Sequence, residues 1–234
     1  MAAPLPLSQF AAFGKKIVCV GRNYAAHASE LGNPIPIKAP LLFLKPSTSF
    51  LVPPKPFALP APHVVHHEIE LGVVIGKTAS NVTAANAASY IGGYCLALDM
   101  TARDIQDSAK KSRGPWTLAK GLDGFLPVSS FLPKEAVKDP HNLRLFLKLD
   151  GNIVQDGSTK DMIFSIPRLI GYISKLMSLE RGDVILTGTP AGVGPVQVGQ
   201  VMEGALETVG SSKPLITLSV PVVERLPKFD INEA

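Results

Sequence analysis

The chain has 234 residues, of which 46% are hydrophobic and 18% charged, so it can bury a sizeable core and disorder is excluded. Its net charge of +4 is mild, and its basic residues are spread along the chain, which argues against nucleic-acid binding. No run approaches the roughly 18 apolar residues of a membrane span. The first 14 residues lack a signal-peptide core, so we expect a protein that is not secreted.

The composition also favours strands and turns. Twenty glycines and 21 prolines are high for this length and are typical of a β-rich fold rather than a helical bundle. Cys19 and Cys95 each lie in an apolar strand pattern, so we interpret them as small buried hydrophobic residues in a reducing compartment. The length allows one large domain or two small ones.

The first predicted elements are a strand, a helix and a second strand. An apolar run at 16–20 predicts a buried strand, and residues 25–31 predict a helix that Gly32 stops. Residues 41–44 predict another strand. The proline-rich stretch 53–62 is typical of an ordered surface loop.

His27 and Glu30 lie three residues apart on the first predicted helix, and therefore on one face. Such a pair can orient an imidazole or relay a proton. It can equally be an exposed surface pair, and the spacing alone favours that alternative.

The strand predicted from His66 to Gly76 carries the most distinctive pattern. Read with a period of two, one face is apolar apart from His67, and the other presents Glu68 and Glu70 beside two glycines that leave space. Adjacent carboxylates repel each other, and solvent, a raised pKa or a hard divalent cation relieves the repulsion. An edge strand with a solvated face is the alternative, and this strand alone leaves both open.

The next buried strand ends in Asp99, which is either a turn residue or a site residue. Residues 101–104 predict a capping box that begins a helix. Along this helix Arg103, Gln106 and Lys110 form one stripe, which can meet an anion or be a solvated basic face. For Lys110 we prefer the solvated face.

Lys120 lies in an apolar, glycine-rich stretch, and alone it indicates no more than a surface lysine. The loop at 187–194 lacks the Gly-Lys-Ser/Thr ending of a phosphate loop, so we reject nucleotide binding. Its small residues suit close approach to a ligand, or a plain tight turn. The other predicted elements are a helix at 81–89, strands at 143–150 and 152–155 joined by a hairpin turn, a helix at 165–176, and strands at 93–98, 183–186 and 215–222.

Seven segments appear in a distinctive order along the chain: Gly21–His27, Phe43–Pro46, His67–Leu71, Leu98–Asp104, Pro115–Lys120, Met162–Pro167 and Leu186–Pro190. Together they resemble the fumarylacetoacetate hydrolase superfamily, and within it the single-domain eukaryotic branch. The ordered set is specific, although no single segment is. The resemblance extends over about residues 14–222, so we expect one catalytic domain over 1–234.

The resemblance implies an α+β, β-rich fold, namely a mixed β-roll with peripheral helices, assembled as a homodimer. It implies Mg²⁺, with Mn²⁺ as the alternative, held by Glu68, Glu70 and Asp99. We expect His66 to point past a metal that is bound by oxygen. The implied catalytic residues are His27, Glu30 and Lys120, and the implied substrate contacts are Arg22, Arg103, Gln106 and Thr189.

The resemblance further implies a small anionic 2-oxo acid as substrate. The expected reactions cleave the bond at C3, by hydrolysis of acylpyruvates such as acetylpyruvate and fumarylpyruvate, or by decarboxylation of oxaloacetate to pyruvate. An oxaloacetate tautomerase, which moves a proton at C3 without carbon–carbon cleavage, is the alternative. A non-catalytic metal-dependent binding protein is the rival from another class. The presence of His27, Glu30 and Lys120 beside the three acidic residues argues against it. The expected compartment is the mitochondrion, the cytosol or both.

Overall fold

Sixteen strands and five α-helices form most of the residues that the computed structural model describes, which are 4–30 and 38–226. The strands are β1 Ile17–Gly21, β2 Leu41–Lys45, β3 Phe50–Leu51, β4 Phe57–Leu59, β5 Val65–His67, β6 Ile69–Ile75, β7 Ile91–Leu98, β8 Thr101–Ala102, β9 Leu126–Pro127, β10 Leu132–Pro133, β11 Leu143–Leu149, β12 Asn152–Ser158, β13 Val184–Leu186, β14 Gly194–Pro195, β15 Val201–Thr208 and β16 Pro214–Glu224. The helices are α1 Phe10–Phe13, α2 Ala25–Glu30, α3 Arg103–Ser112, α4 Thr117–Lys120 and α5 Ile166–Leu176. The high strand content is the one that the composition predicts, and the α+β class is the one that the resemblance implies.

Two large sheets share the main core. The first has the order β10-β7-β6-β13-β1-β2, and the second has the order β12-β11-β15-β16-β4. They approach closely where Gly204 of β15 meets β6 and β7. A Cβ atom added at Gly204 would lie 2.9 Å from Ile69 Cδ1 and 3.0 Å from Leu96 Cδ2. Buried side chains of β6, β7, β11, β15, β16 and α5 form one apolar cluster between and around these sheets.

The strand that carries the two glutamates lies inside the fold. All seven residues of β6 are buried, and β6 pairs with β7 on one side and β13 on the other. The alternative of a solvated edge strand is therefore wrong. The predicted strand from 66 to 76 is also not continuous, because β5 pairs with β8 and β14 in a smaller sheet. The chain passes from one sheet to the other at Glu68.

Two other predictions need correction, and a third is confirmed over the residues that the structure describes. The helix predicted at 81–89 is a 3₁₀ helix at Ala84–Tyr90 that packs on α5. The capping box is wrong, because Thr101 belongs to β8 and its hydroxyl donates to the Asp99 carbonyl at 3.1 Å instead of capping α3. The first predicted helix is present as α2, and the stop expected at Gly32 lies outside the described residues.

Several local predictions are confirmed. Asp150 and Gly151 join β11 to β12 with φ of 48° and 84°, the left-handed pair that a tight hairpin requires. Both cysteines are buried and free. Within 4–30 and 38–226 we find no helix with the length and hydropathy that crossing a bilayer requires.

Gly72 of β6 and Gly76, which directly follows β6, do not leave the space that the sequence pattern predicts. A Cβ atom added at Gly72 would lie 2.5 Å from Cys95 Sγ and 3.3 Å from Val184 Cγ1. One added at Gly76 would lie 2.8 Å from Gly92 Cα. The volume beside both glycines is filled by the neighbouring strands, which approach closely because these positions have no side chain.

We therefore expect Gly72→Ala to lower the free energy of unfolding by about 1–3 kcal/mol through overpacking. Urea unfolding followed by circular dichroism measures the change. Gly114→Ala is the matched control, because its added Cβ would lie 3.3 Å from the Ser112 hydroxyl and at an ordinary contact distance of 3.8 Å from the Ala109 carbonyl oxygen. The double variant Gly72→Ala/Cys95→Ala should lose less stability than the two single losses added together. Simple additivity would show that the sulfur does not cause the strain.

Candidate active site

Three buried carboxylates converge where β6 begins and β7 ends. Glu68, Glu70 and Asp99 each offer an oxygen, and these oxygens all lie within 4.8 Å of one another. The antiparallel pairing of Ile69 with Leu98 places Glu68 opposite Asp99, and the Asp99 N–H donates to the Glu68 carbonyl at 2.8 Å. The register of two central strands thus assembles residues that are 29 to 31 positions apart in the chain.

Two cations hold the Glu68 side chain. Lys120 Nζ donates to Glu68 Oε2 and to Asp99 Oδ2, both at 2.7 Å, and Arg103 donates to Glu68 Oε1 at 2.7 Å. Burial by itself would raise the pKa of Glu68, but the charges of Lys120 and Arg103 outweigh it and hold that pKa well below its usual range. Burial likewise opposes the charge on Lys120, and Asp99 and Glu68 raise its pKa all the same. Glu68 is therefore a carboxylate with its charge compensated.

Glu70 has a different environment. Its Oε2 accepts a hydrogen bond from the Gly188 N–H at 2.6 Å, and no cation contacts it among the described residues. Burial, followed by the charges of Asp99 and Glu68, raises the pKa of Glu70 well above its usual range. The Glu70 carboxylate is therefore the part of the cluster that most favours an added positive charge.

Lys45 is a buried residue of this site that the sequence analysis missed. Its Nζ donates to the carbonyls of Met100 and Phe125 at 3.0 Å each, and to the carbonyl of Lys120. It also lies 2.8 Å from Asp99 Oδ1. The signal available was its position at the end of an apolar strand within the segment Phe43–Pro46, where a fully buried lysine needs a partner.

The donor set fits a hard divalent cation. All three ligands are carboxylate oxygens, the chemistry that Mg²⁺ and Mn²⁺ prefer. Asp99 Oδ1 is buried and forms an ion pair with the Lys45 ammonium at 2.8 Å, while the N–H groups of Lys45 donate to backbone carbonyls. Within the described ranges this is the one cluster of three His, Cys, Asp or Glu residues with such spacing. His66 stays apart from it, since its Nδ1 accepts from Arg103 Nε at 3.3 Å.

His27 and Glu30 lie next to this carboxylate cluster. His27 is buried, and its Nδ1 lies 3.5 Å from Glu30 Oε2, too far for a strong hydrogen bond. The Glu30 carboxylate instead accepts the Gly192 N–H at 3.0 and 3.2 Å, which ties α2 to the loop after β13. Burial lowers the pKa of His27, against the opposing charges of Glu68 and Glu30. The imidazole is thus neutral near pH 7 and able to accept a proton.

The loop after β13 is held by a second residue that sequence reasoning missed. Gln155 of β12 donates to Thr189 Oγ1 at 2.8 Å and to the Pro190 carbonyl at 2.9 Å. Its own oxygen lies 2.8 Å from His67 Nδ1 and accepts the Ile69 N–H at 3.0 Å. Thr189 in turn donates to the Ile69 carbonyl at 2.8 Å. A glutamine inside an amphipathic hairpin strand carries no local sign of this role, because its partners are distant in the chain.

One pocket contains nine of the ten residues named by the sequence analysis. They are Arg22, His27, Glu68, Glu70, Asp99, Arg103, Gln106, Lys120 and Thr189. Glu30 does not line this pocket and lies behind His27. Phe43 and Trp116, whose rings are 5.5 Å apart, form an aromatic wall.

Comparison with known proteins agrees with this arrangement. A sequence model of the family described as fumarylacetoacetate (FAA) hydrolase C-terminal matches residues 16–216. The chain belongs to the fumarylacetoacetate hydrolase family.

Several relatives within the family are close to the chain in sequence. The Bos taurus protein named "Oxaloacetate tautomerase FAHD1, mitochondrial" is 53% identical over 214 residues, 91% of this chain and 96% of the relative. Its Arabidopsis thaliana namesake is 60% identical over 188 residues, 80% and 84% of the two chains. The Dictyostelium discoideum protein named "Oxaloacetate decarboxylase, mitochondrial" is 52% identical over 199 residues, 84% and 91% of the two chains.

A solved structure of this family confirms the fold class. The crystal structure of fumarylpyruvate hydrolase from Pseudomonas aeruginosa, in complex with Mn²⁺ and pyruvate, has a TM-score of 0.83. The two sequences are 34% identical, and the match covers 91% of each chain. The mixed β-rich fold with peripheral helices that the resemblance implied is therefore the fold of this chain.

We expect Gln155→Leu to loosen the loop that carries Thr189. The leucine leaves buried donors such as the Ile69 N–H without an acceptor, which costs roughly 1–3 kcal/mol for each unpaired group. Urea unfolding measures this loss, and Gln197→Leu is the control because Gln197 is exposed. A Gln155→Leu protein as stable as the control would contradict the positioning role.

Proposed function

We propose that the protein is a divalent-metal-dependent enzyme that acts at C3 of 2-oxo acids through an enolate. The main reactions are the enol–keto tautomerisation of oxaloacetate and its decarboxylation to pyruvate. The carrying observation is that a neutral, buried imidazole shares one pocket with three buried carboxylates and a buried lysine. The names of the bovine, Arabidopsis and Dictyostelium relatives support oxaloacetate as the substrate.

Glu68, Glu70 and Asp99 are the residues that would hold the cation, with Mg²⁺ preferred and Mn²⁺ as the alternative. When bound, a divalent cation supplies positive charge that stabilises an enolate oxygen. The Mn²⁺ in the related fumarylpyruvate hydrolase supports a divalent metal. Lys45 positions Asp99, and the Gly188 N–H positions Glu70.

Lys120 stabilises the negative charge that develops on the substrate oxygen. Two of its three N–H groups are used by Glu68 and Asp99, which fixes the ammonium and leaves one donor for substrate. Its Nζ also lies 4.9 Å from the centre of the Phe43 ring, which helps to exclude water on that side. Gln106 and Thr189 provide further polar contacts to the substrate.

His27 moves the proton at C3. Its imidazole takes a proton from C3 of the keto form, or returns one to C3 of the enol form. Glu30 orients it from the second helix, and the Gly192 N–H keeps the Glu30 carboxylate in place. Decarboxylation needs no such base, because carbon dioxide leaves and its bonding electrons form the enolate.

Acylpyruvate hydrolysis is the second candidate function, and the His27–Glu30 pair favours it. Water must attack the distal carbonyl of an acylpyruvate, and an imidazole supported by a carboxylate can remove the proton of that water. The structural similarity to fumarylpyruvate hydrolase supports this candidate. We further propose one catalytic domain over the whole chain, a homodimer, and residence in the mitochondrion or cytosol.

The deciding experiment measures the reactions of the wild-type protein with oxaloacetate, acetylpyruvate and fumarylpyruvate. The enol absorbance and one-dimensional proton NMR distinguish enol–keto exchange from pyruvate release. Each assay is run with Mg²⁺, with Mn²⁺ and with excess EDTA. Turnover that EDTA abolishes supports the proposal. Metal binding without any turnover would favour a binding protein and overturn it.

Removing the Glu68 charge should abolish every reaction. We expect Glu68→Gln to lower kcat/KM for all substrates by at least about 100-fold, because all of them pass through the same enolate. Isothermal titration with Mn²⁺ should show weaker metal binding in the same variant. Glu203→Gln is the control, since Glu203 is exposed on β15. Full activity of Glu68→Gln with metal still bound would contradict the assignment.

Removing His27 should separate the reactions. We expect His27→Ala to slow tautomerisation and acylpyruvate hydrolysis by about 10²–10⁴-fold, the usual contribution of a general base. Decarboxylation of oxaloacetate by the same variant should fall much less, because no proton transfer precedes bond cleavage. The three rates are measured on one preparation, so each serves as control for the others. Equal losses in all three would argue against the proton-transfer role.

A further inference from the structure

The aromatic wall of the pocket, formed by Phe43 and Trp116, separates two spaces that differ in size and chemistry. On one side lies the pocket of the candidate active site, with a cavity volume of about 30 Å³. On the other side lies a groove of about 810 Å³, whose lining includes the apolar residues Leu41, Leu44 and Pro115. Both spaces are lined by Phe43 and Trp116. The room for a longer ligand therefore lies beyond the wall and not in front of it.

Measured distances connect this wall to the carboxylate cluster. Lys120 Nζ donates to the cluster at 2.7 Å and lies 4.9 Å from the centre of the Phe43 ring. The centre of the Trp116 ring lies 5.5 Å from that of Phe43, and the two ring planes are inclined at 62°. A ligand that accepts a hydrogen bond from Lys120 therefore has Phe43 beside it and Trp116 one ring further out.

The backbone of Trp116 is held by hydrogen bonds, whereas its indole is held by packing. The Trp116 carbonyl accepts the N–H groups of Ala119 and Lys120 at 3.0 Å each, so the indole and the Lys120 ammonium belong to one helical turn. A Cβ atom added at Gly21 would lie 3.7 Å from Trp116 Cζ3, which places the ring over the end of β1. The indole N–H forms no hydrogen bond with any described residue. The side chain thus shapes the pocket through its bulk.

The lining of the pocket is polar except along this wall. Among the described lining residues, the predominantly apolar side chains are Val20, Phe43 and Trp116, and they lie next to Gly21. The other lining residues carry charged or hydrogen-bonding groups. A 2-oxo acid places its carboxylate and 2-oxo groups among those polar residues, so its carbon chain faces the wall.

We propose that Trp116 is a specificity-determining residue, which limits the length of the carbon chain in the 2-oxo acids that the pocket accepts. The inference rests on the function proposed above, which supplies the orientation of the substrate. Short chains, such as that of oxaloacetate or the acetyl group of acetylpyruvate, end before the indole. Longer unbranched chains collide with it, because the groove that has room for them lies behind the ring.

The test measures the binding of a series of unbranched 2-oxo acids, from pyruvate to 2-oxooctanoate. Isothermal titration of the Mg²⁺-loaded protein gives Kd, and inhibition of oxaloacetate turnover gives Ki. Trp116→Leu shortens the wall, and Trp116→Phe shortens it less. Leu118→Ala is the matched control, because Leu118 is an exposed apolar residue of the same helix that lines neither space.

We expect the affinity of the wild type to level off or fall once the chain reaches the indole. In Trp116→Leu each further methylene should tighten binding by about fourfold, the usual effect of burying a CH₂ group. This variant should therefore bind 2-oxooctanoate at least about 10-fold more tightly than the wild type does, whereas its Kd for pyruvate should change by less than about twofold. Trp116→Phe should show a smaller shift in the same direction, and Leu118→Ala should match the wild type.

Three results would overturn the inference. A gain of about fourfold per methylene in the wild type itself would show that the wall sets no limit. An unchanged Kd series in Trp116→Leu would show that the indole does not face the chain. An equal loss of affinity for every chain length, pyruvate included, would mean that Trp116 only supports the fold of the pocket. Failure of the wild type to convert oxaloacetate is a separate outcome, which overturns the proposed function while the Kd series still decides the role of Trp116.

Discussion

Burying three carboxylates at one point is the constraint on which the rest of this structure depends. Each buried charge costs several kcal/mol unless it is paired. The chain offsets that cost with Lys45, Lys120 and Arg103, which come from β2, α4 and α3, respectively. These lysines are themselves buried, so each partner requires the other. Docking of the peripheral helices against the central sheet is thereby coupled to the chemistry of the site.

The positive charges of the site are distributed unevenly over its three carboxylates. Glu68 and Asp99 each contact two cations, whereas Glu70 has only a backbone N–H. Glu70 is therefore the carboxylate of the three that most favours an added positive charge.

The loop after β13 connects the carboxylate cluster to the His27–Glu30 pair. Gly188 binds Glu70, Gly192 binds Glu30, and Gln155 fixes Thr189 between them. Backbone amides perform two of these tasks, so the carboxylates of Glu70 and Glu30 are held by donors whose positions the loop backbone fixes. In the function proposed above, a neutral His27 beside this loop can serve proton transfer at carbon or at water, so the same imidazole suits both tautomerisation and hydrolysis.

The sequence by itself determined the β-rich class and the hairpin at Asp150, because composition and turn chemistry carry that information. The ten candidate site residues were predicted as a set only through the ordered segments that resemble the family. Only the tertiary structure decided that β6 is central, that Glu68 lies at a passage between two sheets, and that Lys45 and Gln155 belong to the site. Those features depend on partners 34 or more residues away, or on the pairing of whole strands. The space predicted beside Gly72 was wrong for the same reason, because Cys95 on the neighbouring strand fills it.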